Sequence, residues 1–294
     1  MSDAPRGALV TGGTDGIGRE IACGLAERGF HLVVVGRDAG KGMRVQDELM
    51  AKGAASARFL QADLSLTRQA SALAKTVAEV LPSLHVLVHS AGIVSGRFQL
   101  TVEGVERNFV TNYLSRFALT QQLLPLLTQC GSPTGPARIL LIGGAARNGK
   151  IDFDDVNLTR KFGAVRALLQ ICKANDLFAV ELARRLVSVH ANVTVACLKV
   201  GVVKTNIRKD FPAWMKRLVP LLIDPLLAQS VETMAASALR LVLDDEPSRA
   251  ASILYSHILR FKPLPPWGEL VDPQQGTRLW DLSEQLVARA ASGA

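Results

Sequence analysis

Two stretches of this chain hold residue types that could do chemistry. The first is Val10-Thr11-Gly12-Gly13-Thr14-Asp15-Gly16-Ile17-Gly18. Gly12, Gly16 and Gly18 stand directly after a β-branched run and before a helical stretch. Glycine is needed in such a turn because side chains would keep a pyrophosphate away from the backbone N–H groups. The helix that follows presents the positive end of its dipole to the phosphates. This strand–turn–helix setting reads as a dinucleotide-binding loop made of Gly12, Thr14, Asp15, Gly16, Ile17 and Gly18. The second β-run ends in Gly36-Arg37, where a protein that prefers NAD usually carries a carboxylate for the ribose 2′-OH. That acid is missing, and Arg37 offers a planar fork to a 2′-phosphate, so NADP is expected over NAD. A surface arginine with no phosphate partner is the alternative.

The second stretch is Leu168-Leu169-Gln170-Ile171-Cys172-Lys173-Ala174-Asn175. A thiol next to an ammonium could be activated, since Lys173 would lower the pKa of Cys172. A small buried thiol is the plainer reading. His89 and Lys199 end two other β-runs. The histidine reads as a hydrogen-bonded structural residue or as a neighbour of the cofactor loop, and the lysine as a candidate partner for an anionic substrate.

With these residues in view, the chain resembles the short-chain dehydrogenase/reductase family over almost all its length. Asp63-Leu64 matches the pair that binds adenine there, and His89-Ser90-Ala91-Gly92 matches its Asn-Asn-Ala-Gly motif with two changes. Residues 149–155, 181–186 and 279–284 are similar to segments of the retinol-dehydrogenase-like branch. The resemblance implies cofactor contacts from Asp63, Leu64, Ser90, Ala91, Gly92, Gly201 and Thr205. The family's Pro-Gly clamp is altered to Val200-Gly201.

The resemblance also implies a relay that is absent here. In that family a serine polarises the carbonyl and a tyrosine donates the proton. A lysine lowers the tyrosine pKa and holds the nicotinamide ribose, and an asparagine completes the set. Ile151 upstream and Ala174, Asn175, Phe178 and Glu181 downstream register without a gap. They place Leu168 at the tyrosine site and Cys172 at the lysine site. A slip of one residue would restore Lys173 as the lysine but put Leu169 in place of the tyrosine. The serine site reads Ile142-Gly143-Gly144-Ala145, so Gly144 replaces the hydroxyl. Asn112 alone keeps its identity, either in the relay or bonding the backbone of a long fourth helix. The candidate catalytic residues are therefore Asn112, Cys172 and Lys173, with no metal ligands. Tyr113 adjoins Asn112 but points about 100° away on a helix.

The elements that must position these residues alternate as in an α/β protein with a parallel sheet covered on both faces. Strands are expected at Ala8–Val10, His31–Val35, Arg58–Gln61, His85–His89, Arg138–Ile142, Val193–Leu198 and Ser252–Tyr255. Helices are expected near 17–28, 40–51, 67–80, 101–128, 161–188 and 229–244, with a short one at Thr277–Ala288. This gives one doubly wound Rossmann domain of about seven strands across residues 1–294. Residues 206–229, apolar and proline-broken past the sheet's carboxyl edge, read as a substrate lid, core, or a partner or membrane surface. Residues 261–294 form a C-terminal extension.

Bulk composition narrows the function further. With 48% apolar and 20% charged residues the chain is an ordinary globular domain. Residues 138–217 hold fifteen Lys/Arg against six Asp/Glu, which reads as a solvated basic face or as a site for an anion. Nucleic acid is excluded, because no basic run is interleaved with aromatics. Cys23, Cys130, Cys172 and Cys197 have neither pairing nor metal spacing, so a reducing, cytoplasmic setting is expected. No apolar run reaches the roughly 20 residues of a membrane span.

Three functions follow: a non-redox enzyme (cyclase, isomerase or pericyclic) for a hydrophobic small molecule, a reductase of an activated substrate, or an NADP-binding pseudoenzyme. The first is favoured, because lid and cleft are kept while the relay residues are replaced. The resemblance adds a homodimer or homotetramer formed through the fourth and fifth helices.

Overall fold

The computed structural model describes residues 6–81, 83–132, 135–201, 203, 229–244, 253–258 and 260–292. Eight strands form one sheet in the order β3-β2-β1-β4-β5-β6-β7-β8. They are β1 Gly7–Thr11, β2 His31–Gly36, β3 Ser56–Gln61, β4 Val86–His89, β5 Ala137–Gly144, β6 Val193–Val200, β7 Leu254–His257 and β8 Phe261–Leu264. β1 to β7 pair in parallel and β8 runs antiparallel to β7. The sheet therefore has one strand more than expected. Pro263, exposed Lys262 and a run of four hide β8 in the sequence. Proline is tolerated because β8 is an edge strand, where a missing N–H costs no ladder bond. β7 starts two residues later than expected, at Leu254.

Helices cover both faces. α1 Gly16–Ala26, α2 Ala39–Ala51 and α6 Val231–Leu243 pack on one side, over Val10, Val34, Leu140 and Leu198. α3 Thr67–Val80, α4 Ser115–Cys130, α5 Ala164–Ser188 and α7 Pro273–Ser292 bury the other side, over Leu9, Val33, Leu87 and Leu141. The inner strands β1, β2, β4 and β5 are apolar on both faces, as a sheet buried twice requires.

The long fourth helix departs from the expected 101–128. It begins at Arg107, where Glu106 accepts a bond from Phe109 N at 2.9 Å, and Val110–Leu114 form a π-helical segment before α4. Thr101–Glu106 instead form a turn closed by a Leu100–Glu106 bridge. The tail helix α7 is longer than expected. Its Trp280 packs edge-on to Phe117 and tilted against Phe178, with ring centroids 5.0 and 6.1 Å apart, so the tail packs back on the domain. The expected lid at 206–229 and the expected contact Thr205 lie outside the described residues, except Gln229.

Candidate dinucleotide site and its altered relay

The carboxyl ends of β1 and β4 meet where the chain switches from one half of the sheet to the other, the place where doubly wound sheets bind ligands. The loop between β1 and α1 leaves no room for side chains. Gly12 has φ +67°, and a Cβ there would lie 2.7 Å from Ala91 N. A Cβ on Gly18 would lie 2.4 Å from Gly12 O. Gly16 also has positive φ. Ser90 N donates to Thr11 O at 3.1 Å and Ala91 N to Thr11 Oγ1 at 3.4 Å, so the two loops are tied together. Asp15 Oδ1 accepts from Gly16 N at 2.9 Å and caps α1, while its Oδ2 pairs with Lys41 at 2.9 Å. Ile17 anchors the first turn in the core.

The end of β2 forms the edge of this cradle. Arg37 is exposed and makes no carboxylate pair among the described residues. Gly36 faces Thr14, and a Cβ at 36 would lie 2.5 Å from Thr14 Oγ1. A carboxylate at 36 therefore cannot enter without displacing Thr14. Lys41 escaped the sequence reading although it neutralises Asp15; its place one turn into α2 was the signal. Asp63 Oδ1 holds Ser65 N at 3.0 Å, shaping the β3–α3 turn, and Leu64 is buried beneath it. Gly201 sits against Ile258 at ordinary contact distance.

The relay positions contain other things. Cys172 is buried, and its sulfur fills the space above Gly144, 2.7 Å from where a Cβ at 144 would stand. The backbone N–H groups of Ala146 and Gly144 favour its thiolate. Burial nevertheless pushes the thiol pKa up, outweighing the lowering pull of Lys199. Lys173 is not among the groups that act on it. It runs the other way, to Glu269 Oε2 at 3.5 Å, because adjacent helical residues diverge by about 100°. Leu168 is half-buried.

Lys199 is likewise not free for an anionic substrate. It is 1% exposed and clamped by Asp176 Oδ1 and Oδ2 at 2.8 and 2.6 Å. Its ammonium lies 5.3 Å from the Trp267 ring centroid, and Arg147 stacks on that ring at 4.2 Å. Much of the basic stretch is paired in the same way, through Arg160, Arg166, Arg184 and Arg185 with Asp152, Asp155 and Glu181.

The remaining candidates are all hydrogen-bonded within the fold. Asn112 Nδ2 donates to Ile93 O at 2.9 Å and Asn108 O at 2.7 Å, and its Oδ1 accepts from Ile93 N at 3.0 Å. It thereby clamps the segment after Gly92 to the π-helical turn. Asn175 Nδ2 takes the carbonyl of Asn112 at 3.1 Å. Tyr113 is fully buried, bonds Ser283 Oγ at 2.7 Å, and has its hydroxyl pKa pushed up by burial. His89 bonds Thr120 Oγ1 at 2.9 Å, and burial drives its pKa well below the usual value. Among the described residues, no three His, Cys, Asp or Glu side chains form a metal cluster, and no helix is long and apolar enough to cross a membrane. A cavity of about 600 Å³ lies elsewhere, between Val102–Val105, Phe153–Asn157 and α7.

A doubly wound sheet with a glycine cradle at its switch point defines a dinucleotide-binding Rossmann protein. The chain belongs to the short-chain dehydrogenase family. The model described as "short chain dehydrogenase" matches residues 6–148. Human polyprenol dehydrogenase is 33% identical over 76% of this chain and 68% of its own length. Human retinol dehydrogenase 13 is 30% identical over 96% of this chain and 85% of its own length. A Pseudomonas aeruginosa RhlG/NADP active-site complex superposes with a TM-score of 0.65 at 30% identity, covering 82% of this chain and 90% of that one. A putative uncharacterized protein from Mycobacterium paratuberculosis covers 98% of this chain and 96% of its own at a TM-score of 0.74 and 26% identity. These relatives are oxidoreductases by name where a function is given, and a non-redox role finds no support among them.

Proposed function

We propose that the chain is an NADP(H)-dependent oxidoreductase that reduces an activated, hydrophobic, isoprenoid-like acceptor without a proton relay of its own. One observation carries this reading: the cradle at Gly12, Gly16 and Gly18 is intact, while Cys172 fills the space beside Gly144 and Leu168 stands where an acid would be. NADPH, when bound, supplies the hydride. The backbone N–H groups of the loop and α1 hold the pyrophosphate, and Arg37 takes the 2′-phosphate. Losing a general acid costs a reaction roughly two to four powers of ten. An acceptor conjugated to an electron-withdrawing group tolerates that loss, because its product anion is stable enough to take a proton from water. The polyprenol and retinol dehydrogenase relatives support a prenyl-type chain as the apolar part of the substrate.

Purified protein, NADPH and a conjugated isoprenoid enal test this reading by the loss of NADPH absorbance. Turnover of the enal with none of a saturated ketone is expected. Equal turnover of both overturns the missing-relay account. Half-buried, apolar Leu168 favours a second reading, in which the same pocket serves orientation-driven, non-redox chemistry. Binding of NADPH with no consumption by any acceptor would select it, or the regulatory NADP-binding role. A homodimer or homotetramer belongs to this proposal; α7 occupies the Phe117 and Phe178 faces, so pairing would use the uncovered end of α5 near Val187.

A further inference from the structure

A buried guanidinium lies under the carboxyl ends of β4 and β5. Arg116 Nη2 donates to Ala91 O at 2.8 Å, just past β4, and Nη1 to Ile142 O at 2.9 Å, within β5. Nη1 also reaches Asn175 Oδ1 at 3.0 Å. The Nε group has no partner, and the residue is 6% exposed. Every acceptor is neutral, and among the described residues no carboxylate pairs with Arg116. The group stays cationic at neutral pH, since burial brings its pKa down only to about 10.

Its surroundings do not cancel that charge. Lys199 and Asp176 neutralise each other. The thiols of Cys172 and Cys197 lie within electrostatic reach of Arg116, and burial pushes both pKa values up, so both are uncharged at neutral pH. His89, lowered by burial and by Arg116 itself, is also uncharged. The floor between β4, β5 and α5 therefore carries one uncompensated positive charge in a low-dielectric setting. Isolated buried cations are costly, and they persist where the surroundings or a ligand make use of them.

We infer that Arg116 sets the preference of this site for the redox state of its dinucleotide, holding the reduced, neutral nicotinamide and disfavouring the oxidised, positively charged ring. The inference rests on the NADP(H) reading. The two forms share the same pyrophosphate and 2′-phosphate, so the cradle and Arg37 cannot tell them apart. The ring charge is the difference. At an effective dielectric of about 20, repulsion between like unit charges inside one cleft is of the order that changes a binding ratio roughly tenfold.

Calorimetric titration of the full chain with NADPH, NADP⁺ and 2′-phospho-ADP-ribose, which lacks the nicotinamide, tests this. NADPH should bind about tenfold more tightly than NADP⁺, and NADP⁺ no more tightly than the ring-less fragment. In Arg116→Met the gap between NADPH and NADP⁺ should close by about tenfold, mainly through tighter NADP⁺, while Arg116→Lys keeps it. Equal affinities for NADPH and NADP⁺ in the wild type, or an unchanged ratio in a folded Arg116→Met, overturn the inference. The ring-less fragment comparison needs no variant and tests whether the site penalises the oxidised ring; should Arg116→Met not fold, Arg116→Gln takes its place in testing the assignment to Arg116. If the fragment itself does not bind at millimolar concentration, the dinucleotide reading fails together with the inference. Fragment binding with no discrimination sinks the inference alone.

Discussion

The sulfur of Cys172 occupies the volume that a side chain at position 144 would need: a Cβ on Gly144 would lie 2.7 Å from it. Two positions of the family's relay are therefore coupled sterically, and a side chain returned to 144 must displace the sulfur at 172. Gly144→Ser should cost about 1–3 kcal/mol by overpacking. Gly144→Ser with Cys172→Ala should recover most of that loss, a clear departure from additivity. Urea unfolding of the two single variants and the double variant checks it, and strictly additive losses would show that the residues do not compete for space.

Phosphate recognition can be tested at the end of β2. Arg37→Ala removes a charge-assisted contact of about 1.5–3 kcal/mol, so NADPH affinity should fall by roughly tenfold to a hundredfold while NADH affinity stays as it was. Gly36→Asp alone should not convert the site to NADH, because a Cβ there lies 2.5 Å from Thr14 Oγ1. Adding Thr14→Ala should allow the carboxylate in. A clean switch to NADH by Gly36→Asp alone would show that Thr14 yields freely.

How much of this was legible in the sequence depended on the range of the forces involved. The glycine cradle could be read because its constraint is local: Gly12 and Gly18 touch backbone within a few residues or in one neighbouring loop. The fates of Lys199 and Lys173 could not. Whether a lysine is free depends on what the topology sets opposite it, and Asp176 and Glu269 lie on other elements. Arg116 was passed over for the same reason, since inside an apolar helix pattern it gives no sign of facing Ala91 and Ile142. β8 was missed because Pro263 reads as a breaker unless the strand is known to be an edge.

Acid should destabilise the protein through His89. Its folded pKa lies well below 6.5, so the unfolded chain binds the proton first. Below about pH 6.5 the unfolded state holds more protons, and stability falls as pH falls, by up to about 1.4 kcal/mol per pH unit for one histidine. His85 and His257 are lowered too and add in the same direction. His89→Gln, which can still bond Thr120, should flatten part of the slope between pH 7.5 and 5.5 in urea unfolding. Identical slopes in wild type and variant would remove His89 from the account.

The tail helix should behave as part of the domain. Trp280 is 5% exposed, packs edge-on to Phe117, and is covered by the Arg185 guanidinium at 4.0 Å. Trp280→Ala should cost about 3–5 kcal/mol. Cofactor affinity in the still-folded variant should not change, because the cradle lies on other elements. A loss below 1 kcal/mol would mean that the helix is an appendage.

Tyr113 is the tyrosine a substitute acid would most simply use, since it adjoins Asn112. The structure turns it away: its hydroxyl is buried against Ser283 Oγ, which also donates to Leu279 O at 2.7 Å. A phenol whose pKa burial has raised is a poor proton donor at neutral pH. Tyr113→Phe should therefore leave NADPH affinity and any NADPH consumption unchanged while lowering stability by about 0.5–1.5 kcal/mol, the usual net value of one hydrogen bond. A rate loss of a hundredfold or more at unchanged affinity would reinstate Tyr113 as the acid, and with it a relay rebuilt from the opposite side of Asn112.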